Sequence, residues 1–345
     1  MRPSFFWKIV CLTALILPAA CTSAPVATQQ LPSPTAISTP ITKTEVPKTE
    51  VPKTEVAKTE VAKTDGPKAE ANPMIQPKRT LNIAHRGARS LAPENTLAAA
   101  RKGLEIGADL WELDVAMTVD GVLVVLHDDT LERTSNVGQV FPNRQKTPVY
   151  EFTLAELRQL DFGSWYVETD PFKQIAAGAV SQAELEKFKG EPIPTLEEAL
   201  KFTRDAHWKV NVEIKDASRS TADATIVQKT VTLIEELGMV NQVLISSFNH
   251  TYIQRVKSIN PNIVTAALVE KADSDPAGLL KRLGAQAYNP SAKAISASAI
   301  KPLRDQGFDV YIYTVNDEAA MKTLVAAGAS GIFTDFPQVL KKVLQ

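Results

Sequence analysis

Residues 107–128 read GADLWELDVAMTVDGVLVVLHD. Leu110 to Val115 is a short apolar run carrying two carboxylates, Glu112 and Asp114, and side chains at i and i+2 of a strand share one face. Asp120-Gly121 is a strong tight-turn signal, and Val122 to Leu126 is apolar again. The stretch therefore predicts a strand, a turn and a returning strand that ends at His127-Asp128.

Short apolar runs of this kind recur eight times, at Leu81–Ala84, Leu110–Val115, Val210–Ile214, Val243–Ser246, Val264–Leu268, Ala287–Asn289, Val310–Tyr313 and Gly331–Phe333. Helical stretches such as Asn95–Ile106, Leu196–Arg204, Thr225–Leu237, Ala319–Ala326 and Pro337–Leu344 lie between or after them. Strand–helix alternation argues for a parallel sheet buried on both faces. Eight units favour closure into a (β/α)8 TIM-type barrel over an open doubly wound sheet. Arg79 to Gln345 is close to the roughly 250 residues such a barrel uses. Two departures interrupt the alternation: the small hairpin after the second strand, and a long segment from Asp128 to Glu191. An insertion after a barrel strand sits on the face where active sites are built.

Outside residues 79–345 the chain has a different grammar. Arg2 and Lys8 precede a short apolar stretch, Ile9 to Leu17, and Pro18-Ala19-Ala20 leads into Cys21. The run is too short to span a bilayer and reads as a secretory signal, residues 1–20. The small residues before Cys21 resemble a bacterial lipobox, with Pro18 where leucine is usual, and imply acylation of Cys21. From residue 22 to 78 the composition shifts to Pro, Thr, Lys, Glu, Ala and Val, with a five-residue repeat, KTEVP then KTEVA, from Lys43 to Lys63. That period matches neither a helix nor a strand face, and too little apolar surface is present to repay ordering. The expectation is an extended, disordered tether. The two cysteines, Cys11 and Cys21, both precede it, so the barrel has no disulfide framework and no thiolate zinc site. With 38 basic against 39 acidic residues, no basic field exists for nucleic acid.

Chemistry concentrates at predicted strand ends. Of four histidines, His85 closes the first strand as His85-Arg86-Gly87 and His127 closes the returning strand. Histidine titrates near neutrality, so such a pair suits acid and base roles. His207 and His250 lack comparable context and read as surface or capping residues. Glu112 and Asp114 share a face of the second strand, and Glu213 and Lys215 share a face of the third. Clustered carboxylates on apolar strands repel unless something positive sits among them, and a hard divalent cation with oxygen ligands is the economical solution.

The motifs NIAHRGARSLAPENTLAA, GADLWELDVAMTVDGVLVVLHDDTLERTSNVG, EPIPTLEEAL, NVEIK, SSFN, YTVND and GIFTDFP occur in that order. On them, residues 82–345 resemble the glycerophosphodiester phosphodiesterase family. The resemblance implies a TIM-type barrel with a hairpin insertion, His85 and His127 as the acid/base pair, and Glu112, Asp114 and Glu213 as ligands of a divalent cation, calcium or magnesium. It further implies that Arg86 and Lys215 neutralise phosphate oxygens. In the family the glutamate matching Glu94 sits near the metal, which leaves open a structural role or one supporting the metal ligands, while Asn95 beside it is placed to cap a helix. Tyr313 stands where the family usually has tryptophan, and Asn316 is placed to line the pocket. Phe248 and Trp165 are expected in core packing, with the pocket wall as the alternative for either, and Asp335 as the cap of the last helix.

The expected reaction is metal-dependent hydrolysis of a glycerophosphodiester to glycerol 3-phosphate and an alcohol. Two alternatives are a phospholipase D-like activity on lysophospholipids or sphingomyelin, and a non-catalytic tethered binding protein. The absence of a histidine cluster argues against a zinc hydrolase. The expected location is the bacterial cell envelope, lipid-anchored, with the barrel outside the cytoplasm.

Overall fold

The computed structural model describes residues 77–345. The expected signal segment, Cys21 and, apart from Pro77 and Lys78, the expected tether lie outside the described residues. Among the described residues, no helix is long and apolar enough to cross a membrane.

The barrel strands are β1 (Leu81–Ala84), β2 (Leu110–Met117), β4 (Val210–Ile214), β5 (Val243–Ser247), β6 (Val264–Val269), β7 (Ala287–Pro290), β8 (Asp309–Ile312) and β9 (Gly331–Thr334). They pair in parallel in the order β1-β9-β8-β7-β6-β5-β4-β2, and β1 pairing with β2 closes the ring. A ninth strand, β3 (Leu123–Val125), runs antiparallel to β2 with Val115 opposite Val125. A helix follows each barrel strand or its insertion: α1 (Leu97–Ile106), α2 (Leu196–Asp205), α3 (Ile226–Glu236), α4 (His250–Ile259), α5 (Pro276–Leu283), α6 (Ala297–Asp305), α7 (Glu318–Ala326) and α8 (Pro337–Val343). This is the expected (β/α)8 barrel with its hairpin after the second strand.

Period-two alternation decides which side chains enter the barrel. Trp111, Leu113 and Val115 of β2 pack outward in one apolar cluster with Val210, Val212 and Ile214 of β4 and Leu196, Ala199 and Leu200 of α2. Leu110 instead joins Leu81, Ile83, Leu244, Val264, Ala266, Ala287, Tyr311 and Phe333 in the interior. The same register continues upward: Glu112 and Asp114 follow Leu110, His85 follows Ile83, and Asp335 follows Phe333. The apolar plug thus fills the lower barrel, and charged groups take the inward positions at the C-terminal ends of the strands. Outside, Trp111 and Trp208 stack at 6.3 Å with planes 7° apart, and their indole N–H groups donate to Thr203 Oγ1 and the Ala108 carbonyl.

The expected strands coincide with the observed ones to within two residues at either end. Strand β2 runs on to Met117 because Ala116 and Met117 pair with β3, and β8 begins at Asp309 and stops before Tyr313. Residues 128–191 fold as short helical turns over small cores of their own. One gathers Leu126, Leu131, Phe152 and Leu157, and another Leu91, Tyr166, Leu185 and Phe188. The cap of α1 is Thr96, whose hydroxyl accepts from the Ala99 N–H. Asn95, the expected cap, is instead left-handed with φ 59°, which frees its side chain for another task.

Gly87 makes the turn out of β1 possible. Its φ is +78°, and a Cβ there would lie 2.6 Å from the Ala99 carbonyl carbon. Neither the backbone geometry nor the close approach to α1 tolerates a side chain. Gly87→Ala is expected to destabilise the fold by about 2–4 kcal/mol, read as a lower denaturant midpoint at unchanged slope. An unchanged midpoint would show that α1 can move away from the turn.

Candidate active site

The β1–α1 turn places Arg86 (φ 54°) and Gly87 in consecutive left-handed conformations. Such strain in a non-glycine residue persists only when its surroundings impose it. Here the Arg86 N–H donates to Glu112 Oε2 at 2.8 Å. Its guanidinium donates to Glu94 Oε1 at 2.8 Å and places Nε 3.4 Å from Asp114 Oδ2. The strained Asn95 clamps Asp114, donating from Nδ2 to Oδ2 at 2.8 Å and accepting the Asp114 N–H at 3.3 Å. From β4, Lys215 Nζ reaches Glu213 Oε1 at 2.9 Å and Asp114 Oδ1 at 3.5 Å.

Glu112, Asp114 and Glu213 each present an oxygen, all within 4.8 Å of one another. Their titration is split by their neighbours. Burial raises the Glu112 carboxyl well above its ordinary value, and Asp114 and Glu213 raise it further. Burial and Asp114 likewise raise Glu213. At Asp114 burial also pushes upward, but Lys215 and Arg86 more than reverse it, and the group stays ionised. Two of the three carboxyls thus lack sufficient positive charge from the protein. All three donors are hard oxygens, which fits a divalent cation of the calcium or magnesium kind.

Two histidines border this cluster, His85 in one cavity with Glu112 and Glu213, and His127 near enough for its charge to act on Asp114 and Glu213. His85 Nδ1 lies 2.7 Å from Asp335 Oδ1, and His127 Nδ1 lies 2.7 Å from Asp128 Oδ1. A carboxylate at Nδ1 holds the proton there and leaves Nε2 to exchange one. Burial and the charge of Arg86 lower the His85 pKa, with Asp335 opposing them. Burial alone would raise Asp335, but the hydrogen bond and charge of His85, with Arg89, pull it down to about 2. His85 lines a small cavity with Glu112, Glu213, Asn211, Ser246 and Tyr313. His127 and Lys215 line a wider cleft of about 170 Å³ with Tyr150, Val149 and Ala217.

Every residue singled out for chemistry within the barrel domain therefore faces one site: His85, Arg86, Glu112, Asp114, His127, Glu213 and Lys215. Several neighbours differ from expectation. Asp335 does not cap α8; Phe336 occupies that position without a side-chain bond, and Asp335 holds His85 while accepting from Asn316 Nδ2 at 2.7 Å. Its inward register, two residues after Phe333, was the available signal. Glu94 belongs to an arginine cluster, bonded to Arg86 and Arg133 and close to Arg89. Phe248 is 42% exposed rather than packed in the core, edge-on to Tyr313 at 5.8 Å. Trp165 does pack, half-buried, among Leu91, Tyr166 and Phe188. His250 opens α4 with Nε2 2.9 Å from the Leu268 carbonyl, and His207 ends the turn after α2; both stand apart from the site.

The model of the glycerophosphoryl diester phosphodiesterase family matches residues 85–339. A glycerophosphodiester phosphodiesterase of Caldanaerobacter subterraneus subsp. tengcongensis is 36% identical over 262 residues, covering 76% of this chain and 96% of that protein. One from Bacillus subtilis is 32% identical over 276 residues, covering 78% and 88%. A solved structure of a phosphodiesterase from Oleispira antarctica, in complex with the product sn-glycerol-3-phosphate, superimposes with a TM-score of 0.62 at 27% identity, covering 76% of this chain and 95% of that one. A glycerophosphodiester phosphodiesterase structure from Agrobacterium tumefaciens gives 0.59 at 28% identity, covering 76% and 99%.

The raised pKa of Glu112 has a definite sign in stability. A carboxyl that titrates higher in the folded than in the unfolded chain costs stability as pH rises from its ordinary value of 4.5 through its folded value. In chelator, Glu112→Gln should therefore gain thermal stability relative to the unaltered chain as pH rises through that window. Added calcium or magnesium should reverse the order, with protons released on binding. A stability gap independent of pH in chelator would contradict the assigned charge balance.

Proposed function

The chain belongs to the glycerophosphoryl diester phosphodiesterase family, and from that premise we propose that it hydrolyses glycerophosphodiesters to glycerol 3-phosphate and an alcohol. The observation that carries this reading is the pair of aspartate-held histidines bordering three inward carboxylates. One histidine at Nε2 accepts the proton of the attacking hydroxyl as its oxygen bonds to phosphorus. The other donates a proton to the alcohol oxygen as the phosphorus–oxygen bond to it breaks. Arg86 and Lys215 border the cluster and place positive charge beside the phosphoryl oxygens, where negative charge accumulates. A divalent cation, calcium or magnesium, held by Glu112, Asp114 and Glu213 would supply further charge neutralisation there. The cleft of about 170 Å³ beside His127 and Lys215 supports seating the substrate next to the cluster.

For the cell we propose acylation at Cys21, with residues 22–78 holding the barrel off the outer face of a bacterial membrane. The lipobox resemblance and the composition of that segment support this.

The full chain, incubated with glycerophosphocholine and excess calcium or magnesium, is expected to release glycerol 3-phosphate, measured with a coupled dehydrogenase. Chelator should abolish release, and His85→Ala and His127→Ala should each lower kcat by about 10²–10⁴-fold. Release of choline, read with choline oxidase, from lysophosphatidylcholine or sphingomyelin but not from glycerophosphocholine would shift the assignment to a phospholipase D-like reaction. Full activity of both histidine variants would end the acid/base reading. Separately, expressed cells fed a clickable palmitate should incorporate label into the unaltered chain and not into Cys21→Ala. Equal labelling of both would remove the anchor.

A further inference from the structure

The two histidine–aspartate pairs are not independent of each other. Asp128, which holds His127, is gripped by Arg133, whose Nε donates to Oδ2 at 2.6 Å and whose Nη2 donates to Oδ1 at 2.9 Å. The same guanidinium donates from Nη1 to Glu94 Oε2 at 3.0 Å and from Nη2 to Glu94 Oε1 at 2.6 Å. On the other side, Arg89 places Nη2 3.3 Å from Glu94 Oε2 and Nε 3.5 Å from Asp335 Oδ1, the oxygen that holds His85. A chain of alternating charges therefore runs His85–Asp335–Arg89–Glu94–Arg133–Asp128–His127, with Glu94 at its centre.

That chain crosses three separate pieces of backbone. Asp335 follows β9, Arg89 and Glu94 lie in the β1–α1 connection, and Asp128 and Arg133 lie in the segment after β3. The first two are also joined by backbone, the Ser90 N–H donating to the Asp335 carbonyl at 3.2 Å, whereas the link from Glu94 through Arg133 to Asp128 is made by side chains. The Glu94 side chain is buried at 2% exposure, yet three arginines surround it. Burial alone would raise its pKa, but the hydrogen bond from Arg133 and the charges of Arg86 and Arg89 bring it down to about 2. The two arginines are themselves braced: Arg89 lies over the Phe172 ring at 5.1 Å and Arg133 over the Trp165 ring at 5.8 Å. Fixing planar guanidinium groups in this way removes freedom that would otherwise blur the geometry of a proton-transferring pair.

We propose that Glu94 is a positioning residue that sets the orientation of both histidines at once, through Arg133 and Asp128 for His127 and through Arg89 and Asp335 for His85. The proposal rests on the reading of these histidines as the acid/base pair. The arms are unequal. The Arg133 arm is made of four short hydrogen bonds, and the Arg89 arm of two longer ion-pair contacts, so Glu94 governs His127 more tightly than His85. Glu94 touches none of the metal-cluster carboxylates, but it also bonds Arg86, which borders the phosphate, so its loss acts on binding through Arg86 and on turnover through the two histidines.

The test uses the full chain with ring-¹⁵N-labelled histidine, in which only four side chains report. Glu94→Gln keeps the shape of the residue and removes its charge. It should lower kcat by about 10- to 100-fold and perturb the Nδ1–H resonances of both His85 and His127, the latter more, with any rise in KM arising at Arg86. Arg133→Lys should perturb His127 alone, and Arg89→Lys His85 alone. Glu94→Asp, which keeps the charge on a shorter stem, should recover part of the lost kcat. A Glu94→Gln variant with both resonances and kcat unchanged overturns the proposal, as does a loss of kcat with neither resonance moved. Should Glu94→Gln fail to fold, the two arginine variants decide: both perturbing the same histidine, or neither perturbing any, is fatal. If the unaltered chain turns over substrate without needing its histidines, the functional reading fails instead, and the resonances still report on the linkage itself.

Discussion

Three carboxyl groups within 4.8 Å of one another, at the end of an apolar barrel interior, form the constraint to which the rest of the mouth answers. Desolvated like charges at this range raise one another's pKa, and Glu112 and Glu213 show that pressure. The protein relieves it only in part. Lys215 and Arg86 neutralise Asp114 and leave the other two short of counter-charge. A site filled entirely with its own cations would be more stable and would have no reason to take a metal ion. Partial compensation leaves an affinity, at a cost in stability that the surrounding barrel has to carry.

The backbone strain has the same origin. Arg86 and Asn95 both adopt left-handed conformations that a side chain ordinarily avoids, and both use them to reach the carboxylates. The Arg86 N–H meets Glu112, and the Asn95 amide clamps Asp114. These contacts fix the carboxylate oxygens before any cation arrives, which is how a site gains selectivity from rigidity. Gly87 allows the chain to make the turn at all, because its missing Cβ lets α1 pass against the loop. The HRG and PENT motifs are thus two sides of one local structure, joined through Arg86 and Glu94.

Much of this was legible in the sequence because it follows from period-two alternation on strands. Once β2 is placed, Glu112 and Asp114 must share a face, and the same holds for Glu213 and Lys215 on β4. The apolar partners Trp111, Leu113 and Val115 fix which face that is. Residues whose role depends on contacts between loops were not legible. Asp335 reads locally as a cap before a proline-initiated helix, and only closure of β9 against β1 brings it to His85, 250 residues away in sequence. Arg133 and Arg89 look like surface cations in their own segments. Phe248 reads as core because it follows an apolar run, but β5 has already ended at Ser247 and its ring stands at the rim.

The division between legible and hidden residues follows a physical division of labour. Strand residues are placed by backbone hydrogen bonds and alternation, both local rules, and they hold the groups that bear on the reacting phosphate. Loop residues are placed by one another, through charge pairs and through hydrogen bonds such as Ser90 N–H to the Asp335 carbonyl, which form only when the barrel is closed. A barrel can therefore keep its metal cluster while its loops change, but it cannot keep two histidines in register without something that ties those loops together. Among the described residues that tie runs through the carboxylate of Glu94, which bonds directly to arginines from two separate segments. Hydrophobic contact could hold the loops near each other, as Phe172 and Trp165 do for the two outer arginines, but it would not fix a proton donor to within a fraction of an ångström. Short charge-assisted hydrogen bonds impose distance and angle together, which is why the link between the histidines is ionic although Glu94 at its centre is buried.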